Sequence, residues 1–144
     1  ISLAMETANT GHLVFGTLHT ATAISTVDRI INIFPPEEQS QVRATLGEVL
    51  KGVVAQTLLR RIQGGRVAAL EILVCNYAVQ SLIREGKTHQ ITNVMQTGRQ
   101  HGNMLLNEEL AKLVQSRTVT AEDAMSKAID KAGLAKRIGL PPPR

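Results

Sequence analysis

Aromatic residues are almost missing from this chain of 144 residues: it has no tryptophan, and Phe15, Phe34 and Tyr77 are the whole aromatic set. The core must therefore be aliphatic, built on Leu, Ile, Val and Ala. Sequence-tolerant binding of single-stranded nucleic acid uses aromatic platforms beside basic groups, and that combination is absent. Charge of one sign is scarce as well. The net charge is +4, from 16 Lys and Arg against 12 Asp and Glu. No run of five like charges occurs, so a basic or acidic tail is excluded. Cys75 is the single cysteine, which excludes an internal disulfide and any multi-cysteine metal site. A lone Cys after an apolar run is ordinarily a small core residue. No stretch reaches the ~18 uninterrupted apolar residues of a membrane span, and no signal peptide is visible. No G-x-x-x-x-G-K-[ST] stretch occurs, so the chain holds no phosphate-binding loop of that kind. No hydrophobic strand ends in a pair of acids able to hold Mg²⁺. On its residues alone, the chain is expected not to hydrolyse a nucleotide.

What is present reads as short alternating elements. The chain opens without Met and inside a helical pattern, so the true N-terminus is expected to lie elsewhere. Residues 1–10 read as the end of a helix, with Leu3, Ala4 and Ala8 on one face and Gly11 as its stop. HLVFGTLH, residues 12–19, is nearly continuous in apolar and β-forming residues, which predicts a strand buried on both faces. Thr20 or Thr22 then caps a helix whose stripe is Ile24, Val27, Ile30, Ile31 and Phe34, broken at Pro35 and Pro36. From Pro36, with Glu37 and Glu38 in the first turn, apolar residues recur at three and four. That recurrence predicts one long helix to about Leu59, with Gly47 and Gly52 as close-packing positions. Residues 57–62 and 66–74 read as two strands around Gln63-Gly64-Gly65, whose glycines supply the positive φ of a tight turn.

From Asn76 onward the pattern is helical only, over about 77–85, 89–97, 104–116 and 121–132. Thr120 with Asp123 resembles a capping box, Gly133 is expected to end the last helix, and Pro141, Pro142 and Pro143 to form a loose tail. The expected fold class is α/β, with residues 1–76 carrying the mixed pattern and residues 77–144 a small all-helical domain.

Chemistry is expected at one strand end. In open α/β sheets, ligands bind beyond the carboxyl ends of strands, and HLVFGTLH delivers His19 and Thr20 there. His19 could donate a hydrogen bond to a phosphate or a catalytic water; alternatively it caps the strand and bonds a neighbouring carbonyl. His12 stands at the other end, about 23 Å away along a straight strand, and is read as structural. His12, His19, His89 and His101 lack metal-ligand spacing, so no metal site is expected within the chain.

GHLVFGTLHT, residues 11–20, resembles the His box of the secretion ATPase superfamily, which powers type II secretion, type IV secretion and type IV pili. Val27-Asp28-Arg29-Ile30-Ile31 followed by Phe34-Pro35 resembles the helix after that box. Gln56-Thr57-Leu58-Leu59 with Gly65 through Ile72 resembles the hairpin that follows. AVQSLIRE, residues 78–85, resembles the AIRNLIRE motif of the PilT-like retraction ATPases of twitching motility, with Gln80 and Ser81 where the family often shows Arg and Asn. Gln96-Thr97-Gly98 and Leu106 onward also follow that family, and Asn9 stands where relatives commonly carry Glu.

The resemblance covers essentially the whole chain. It implies the C-terminal half of a RecA-like P-loop ATPase core over 1–76, a helical C-terminal domain over 77–144, and a start just past the family's Walker B acid. This would be a piece of a longer ATPase. The family implies a homohexamer that binds ATP and Mg²⁺ between subunits. It would work in the cytoplasm, peripheral to the inner membrane, on a pilus platform protein, without membrane insertion or nucleic acid. By match, His19 lies near the γ-phosphate and, with Thr20, in the nucleotide site. Leu82, Ile83, Arg84 and Glu85 belong to the retraction motif, which couples hydrolysis to the partner. On helical spacing, Val79, Leu82 and Ile83 form one apolar stripe, and Arg84 and Glu85 face outward.

Two further readings compete. An assembly ATPase of type II secretion often carries Cys-x-x-Cys pairs after the segment matching Leu58–Arg61, and here Arg61-Ile62-Gln63-Gly64-Gly65 is a short turn without Cys. A non-enzymatic helical binding module over 104–132 could imitate a helix-turn-helix. Its Lys127 and Lys131 are balanced by Glu122, Asp123 and Asp130, a poor face for phosphates.

Overall fold

The computed structural model describes residues 1–141, and its elements follow local signals closely where those signals are strong. Helix α1 spans Ser2–Asn9 and buries no side chain. Helix α2, Ala23–Asn32, starts at Thr22, whose hydroxyl accepts from the Ser25 amide while Ser25 Oγ accepts from the Thr22 amide. This reciprocal cap satisfies two amides that a helix start would otherwise leave open. The stripe Val27, Ile30 and Ile31 is buried as the spacing requires.

Helix α3 covers Gln39–Val49 and then stops, because Leu50 turns extended with ψ 119°. Strand β1 runs Gly52–Arg60 and strand β2 Arg66–Val74, paired antiparallel from Gly52 opposite Val74 to Arg60 opposite Arg66. The predicted long helix to Leu59 is therefore wrong beyond Val49. Val53, Ala55, the half-buried Thr57 and Leu59 face inward at every second residue, and the neighbouring strand decides between period two and period 3.6. The turn between the strands is as predicted, with Gly64 at φ +91° and Gly65 at φ +77°.

Helix α4 spans Tyr77–Arg84, and the Asn76 side chain caps it by accepting from the Val79 amide. A short 3₁₀ turn at Thr88–Gln90 leads into α5, Ile91–Thr97. Helix α6 is Leu106–Gln115, α7 is Ala121–Lys127 and α8 is Lys131–Ile138. The predicted helix 121–132 is split in two. Ala128 goes extended at ψ 134°, and Asp130 restarts the chain by accepting from the Gly133 amide. Gly133 thus sits in the first turn of α8 and ends nothing. Met104, predicted to be helical, instead exchanges two backbone hydrogen bonds of 2.9 Å with Ile72 at the free edge of β2. Pro141 is exposed without regular structure; Pro142 and Pro143 of the predicted tail lie outside the described residues.

The predicted strand 12–19 is not one. It has no regular structure, and Leu13 and Phe15 are 78% and 88% exposed. An extended run is stabilised by ladder partners on its sides, and among the described residues the only sheet is the β1–β2 hairpin.

Two hydrophobic clusters flank that hairpin. One joins α2, α3, α4 and α5 to Val53 and Leu73 at one end of the sheet. The other joins α6, α7 and α8 to Leu59 and Ala69 at the opposite end. The packing therefore passes across position 76: helices on both sides of it share the first cluster.

Candidate functional site

Residues 14–21, one face of α1 and the start of β1 enclose an open groove of about 770 Å³. His19 and Thr20 lie on its wall. Helix α2 holds the backbone of the first and the side chain of the second. The Arg29 guanidinium donates to the His19 carbonyl at 3.1 Å, and the Thr20 and Thr26 hydroxyls are 2.6 Å apart. The His19 ring is exposed. An imidazole and hydroxyls face the groove, so it can donate hydrogen bonds to an anion's oxygens. Among the described residues, no Asp or Glu lines it. Among the described residues, no group of three or more His, Cys, Asp or Glu could hold a metal ion.

The other histidines stand apart from this groove. His12 Nδ1 lies 3.1 Å from the Thr10 hydroxyl in the exposed turn after α1. His89 and His101 neighbour Gln90 and Gln100 on exposed 3₁₀ turns.

The second group of candidates lies elsewhere: none of Leu82, Ile83, Arg84 and Glu85 lines the groove. On α4, Val79 and Ile83 are fully buried, and Leu82 is half-buried against the same cluster. Arg84 does not face outward as spacing predicts. Its stem lies over Gly47 of α3, where an added Cβ would stand 2.9 Å from Arg84 Cγ and 3.0 Å from the Gln80 carbonyl. Its guanidinium sits 5.8 Å from the centre of the Tyr77 ring, within cation–π range. The glycine lets α3 and α4 approach, and the aliphatic stem of the arginine fills the contact. Glu85 is exposed. The hydrogen bond from Lys87 at 2.8 Å, the charge of that ammonium and the Ser81 hydroxyl at 3.2 Å together hold its carboxyl below the ordinary range.

One residue stood in the sequence unremarked for its chemistry. Glu71, on β2, is 8% exposed. Its Oε1 accepts from the Ala23 amide at 2.9 Å and its Oε2 from the Leu106 amide at 3.4 Å. The available signal was an acid at an inward position of the alternating run Ala69-Leu70-Glu71-Ile72-Leu73. What satisfies it comes from residues far away in the chain, which no local pattern reveals.

The family profile described as Type II/IV secretion system protein matches residues 1–126. The chain is 47% identical over 128 residues to the "Type IV pilus retractation ATPase PilT" of Pseudomonas aeruginosa, covering 89% of this chain and 37% of that protein. It is 48% identical over 129 residues to a "Twitching motility protein" of Neisseria gonorrhoeae, covering 89% and 34%. A crystal structure of the pilus retraction motor PilT with bound ADP superposes at a TM-score of 0.84 with 45% identity, over 94% of this chain and 38% of that one. The ATPase DotB of Legionella pneumophila superposes at 0.72 with 25% identity, over 85% and 33%. The chain thus spans little more than a third of the length of these relatives.

Proposed function

The chain belongs to the type II/IV secretion system protein family and has the fold of the corresponding portion of its ATPases, and from that premise we propose that it is part of a motor that hydrolyses ATP to retract type IV pili. The observation that carries this reading is the likeness, near half identity, to proteins named for pilus retraction and twitching. The missing Cys-x-x-Cys pairs speak against the type II assembly reading. The motor is a RecA-like hexameric ring in the cytoplasm, taking ATP with Mg²⁺ and acting on a platform protein at the inner membrane. Residues 1–76 close its ATPase core, and residues 77–144 carry the retraction motif.

Within this reading His19 reports on the γ-phosphate. Arg29 holds the His19 carbonyl and Thr26 holds the Thr20 side chain, so the imidazole meets the phosphate oxygen from a prepared position and little reorganisation is needed when charge develops there. Thr20 stands beside it on the same wall, its hydroxyl paired with that of Thr26. Leu82 and Ile83 anchor α4, and Arg84 and Glu85 at its end couple hydrolysis to the partner. Mg²⁺ offsets phosphate charge when bound, and the residues that hold it and the phosphate chain belong to the remainder of the ATPase.

The test is phosphate release with Mg²⁺ and ATP. These 144 residues alone should be inert, and the longer ATPase that contains them should turn over. His19→Ala in that longer protein should lower turnover by about tenfold or more while its melting temperature hardly moves. Equal turnover for His19→Ala and wild type would remove the sensor role. An inert full-length protein would remove the ATPase reading itself.

A further inference from the structure

Inward positions of β2 follow one another as Ala69, Glu71 and Leu73. Ala69 belongs to the cluster built with α6, α7 and α8, and Leu73 to the cluster built with α2, α3, α4 and α5. Glu71 belongs to neither, and it stands at the seam between them. Opposite it in the ladder is Ala55, also buried, whose small side chain leaves room for a carboxylate. The two oxygens of Glu71 divide between the two bodies: Oε1 takes the first amide of α2, and Oε2 the first amide of α6. A helix start has open amides and a positive dipole end, and an acid side chain is favoured there. Here one acid serves two such starts, 48 and 35 residues away in sequence.

We propose that Glu71 is a positioning residue that locks the His19–Thr20 wall to the helices from 106 onward, so that a change at the nucleotide wall is passed across the seam. The inference rests on the ATPase reading above. The chain of contacts is continuous. The groove wall is tied to α2 through Arg29 on the His19 carbonyl and through the Thr20–Thr26 hydroxyl pair. Thr22 caps α2 immediately before Ala23, and Ala23 donates to Glu71. Glu71 accepts in turn from Leu106, which opens α6 beside Met104 and its bridge to Ile72. No residue of the link needs to touch nucleotide except at the groove end. Glu71 touches none and acts through α2.

Glu71→Gln separates positioning from folding, since it keeps the shape and one carbonyl acceptor. Its amide group can only donate, so one helix start loses its acceptor. The control is Ile91→Val, a fully buried change in the first cluster away from the link. Both are made in the full-length ATPase and followed by melting temperature, steady-state kinetics and amide hydrogen exchange with and without ADP. In wild type, ADP should alter exchange at the start of α2 and at the start of α6 together. In Glu71→Gln the α2 response should persist and the α6 response vanish, with kcat down about tenfold and KM changed by less than about twofold. Ile91→Val should lower the melting temperature with both responses and kcat intact. The proposal is overturned if Glu71→Gln keeps the paired response, or if both variants lose turnover only in proportion to stability. If Glu71→Gln fails to fold, Glu71→Asp, shorter by one methylene and unable to reach both amides, takes its place under the same criteria. A wild-type protein that turns over no ATP would instead sink the functional reading on which the proposal rests.

Discussion

The run 12–19 and the strands of the β1–β2 hairpin have much the same composition and opposite fates. His12 through His19 is as apolar as Gly52 through Arg60, yet one lies open with Phe15 88% exposed, while the other buries Val53, Ala55 and Leu59. The difference is a partner. The hairpin brings its own, nine residues facing nine across a turn of two glycines at positive φ. Nothing among the described residues pairs with 12–19. Apolar composition with β propensity makes a segment fit to be a strand, and a ladder neighbour makes it one.

Hydrogen exchange should show the contrast most strongly. Amides of the hairpin's ladder should exchange at least about a thousandfold more slowly than free amides, and those of 13–19 close to the free rate. Comparable protection in both regions would break the comparison.

Side-chain truncation should come next in size. Leu73 is fully buried, and Leu73→Ala should cost about 2–5 kcal/mol in urea unfolding. Phe15→Ala should stay within about 0.5 kcal/mol, because little of that ring leaves water on folding. The same pair in a longer chain that contains these residues sharpens the point: if added segments supply strands beside 12–19, Phe15→Ala becomes costly there as well.

The thiol at the foot of the hairpin gives a third contrast. Cys75 donates its amide to the Lys51 carbonyl at 3.0 Å. Burial pushes its thiol from the ordinary 9.0 up to about 11, with the Lys51 charge working the other way. The reactive form is the thiolate. Iodoacetamide at pH 8 should therefore label Cys75 about a hundredfold more slowly than a reference thiol in the open run, introduced as Leu13→Cys in a Cys75→Ala background. Between pH 9 and 11 the unfolded thiol releases its proton before the folded one does. Stability should fall with rising pH in that window, and Cys75→Ala should remove this part of the slope. Equal labelling of the two thiols would show that Cys75 is not shielded.

These particular elements also show where sequence reading succeeded and where it stopped. The Gly-Gly turn and the stripe of α2 were legible, and the cap was narrowed to Thr20 or Thr22, because each is decided within a few neighbouring residues. The start of β1 was not. Val49, Leu50, Val53 and Val54 satisfy a helical spacing while Val53 and Ala55 also fit an alternating one, and the ambiguity is resolved by Leu73 and Val74 across the ladder. Gly47 was legible as a close-packing position, but not the fact that the stem of Arg84 lies over it. At the candidate site the sequence pointed to His19 and Thr20 by strand logic, and the structure places both on the groove wall without any strand to carry them. Glu71 showed in the sequence only as an acid at an inward strand position, since its meaning lies in two amides that only the fold brings near.

The smallest expected effect uses two glycines, one from each region, and it isolates packing from chain entropy. Replacing Gly by Ala narrows the unfolded ensemble at either position and stabilises by roughly 0.4–1 kcal/mol where the native backbone tolerates a side chain. Gly16, in the open run, has nothing within 4 Å of where a Cβ would stand, so Gly16→Ala should show that gain or no change. Gly52, at the first rung of the ladder, would place its Cβ 3.0 Å from the Leu73 carbonyl oxygen. That oxygen belongs to the partner strand's backbone and cannot swing aside as a side chain would. Gly52→Ala should therefore lose the entropic gain and about 1 kcal/mol beyond it to local displacement. The measured quantity is the difference between the two urea midpoints at unchanged m-value. If Gly52→Ala proves as harmless as Gly16→Ala, the first rung yields easily and the close approach of β1 and β2 begins further along, toward Val54 and Ile72. If both lose stability alike, the run 12–19 has neighbours in solution, and the contrast between a partnered and an unpartnered strand falls.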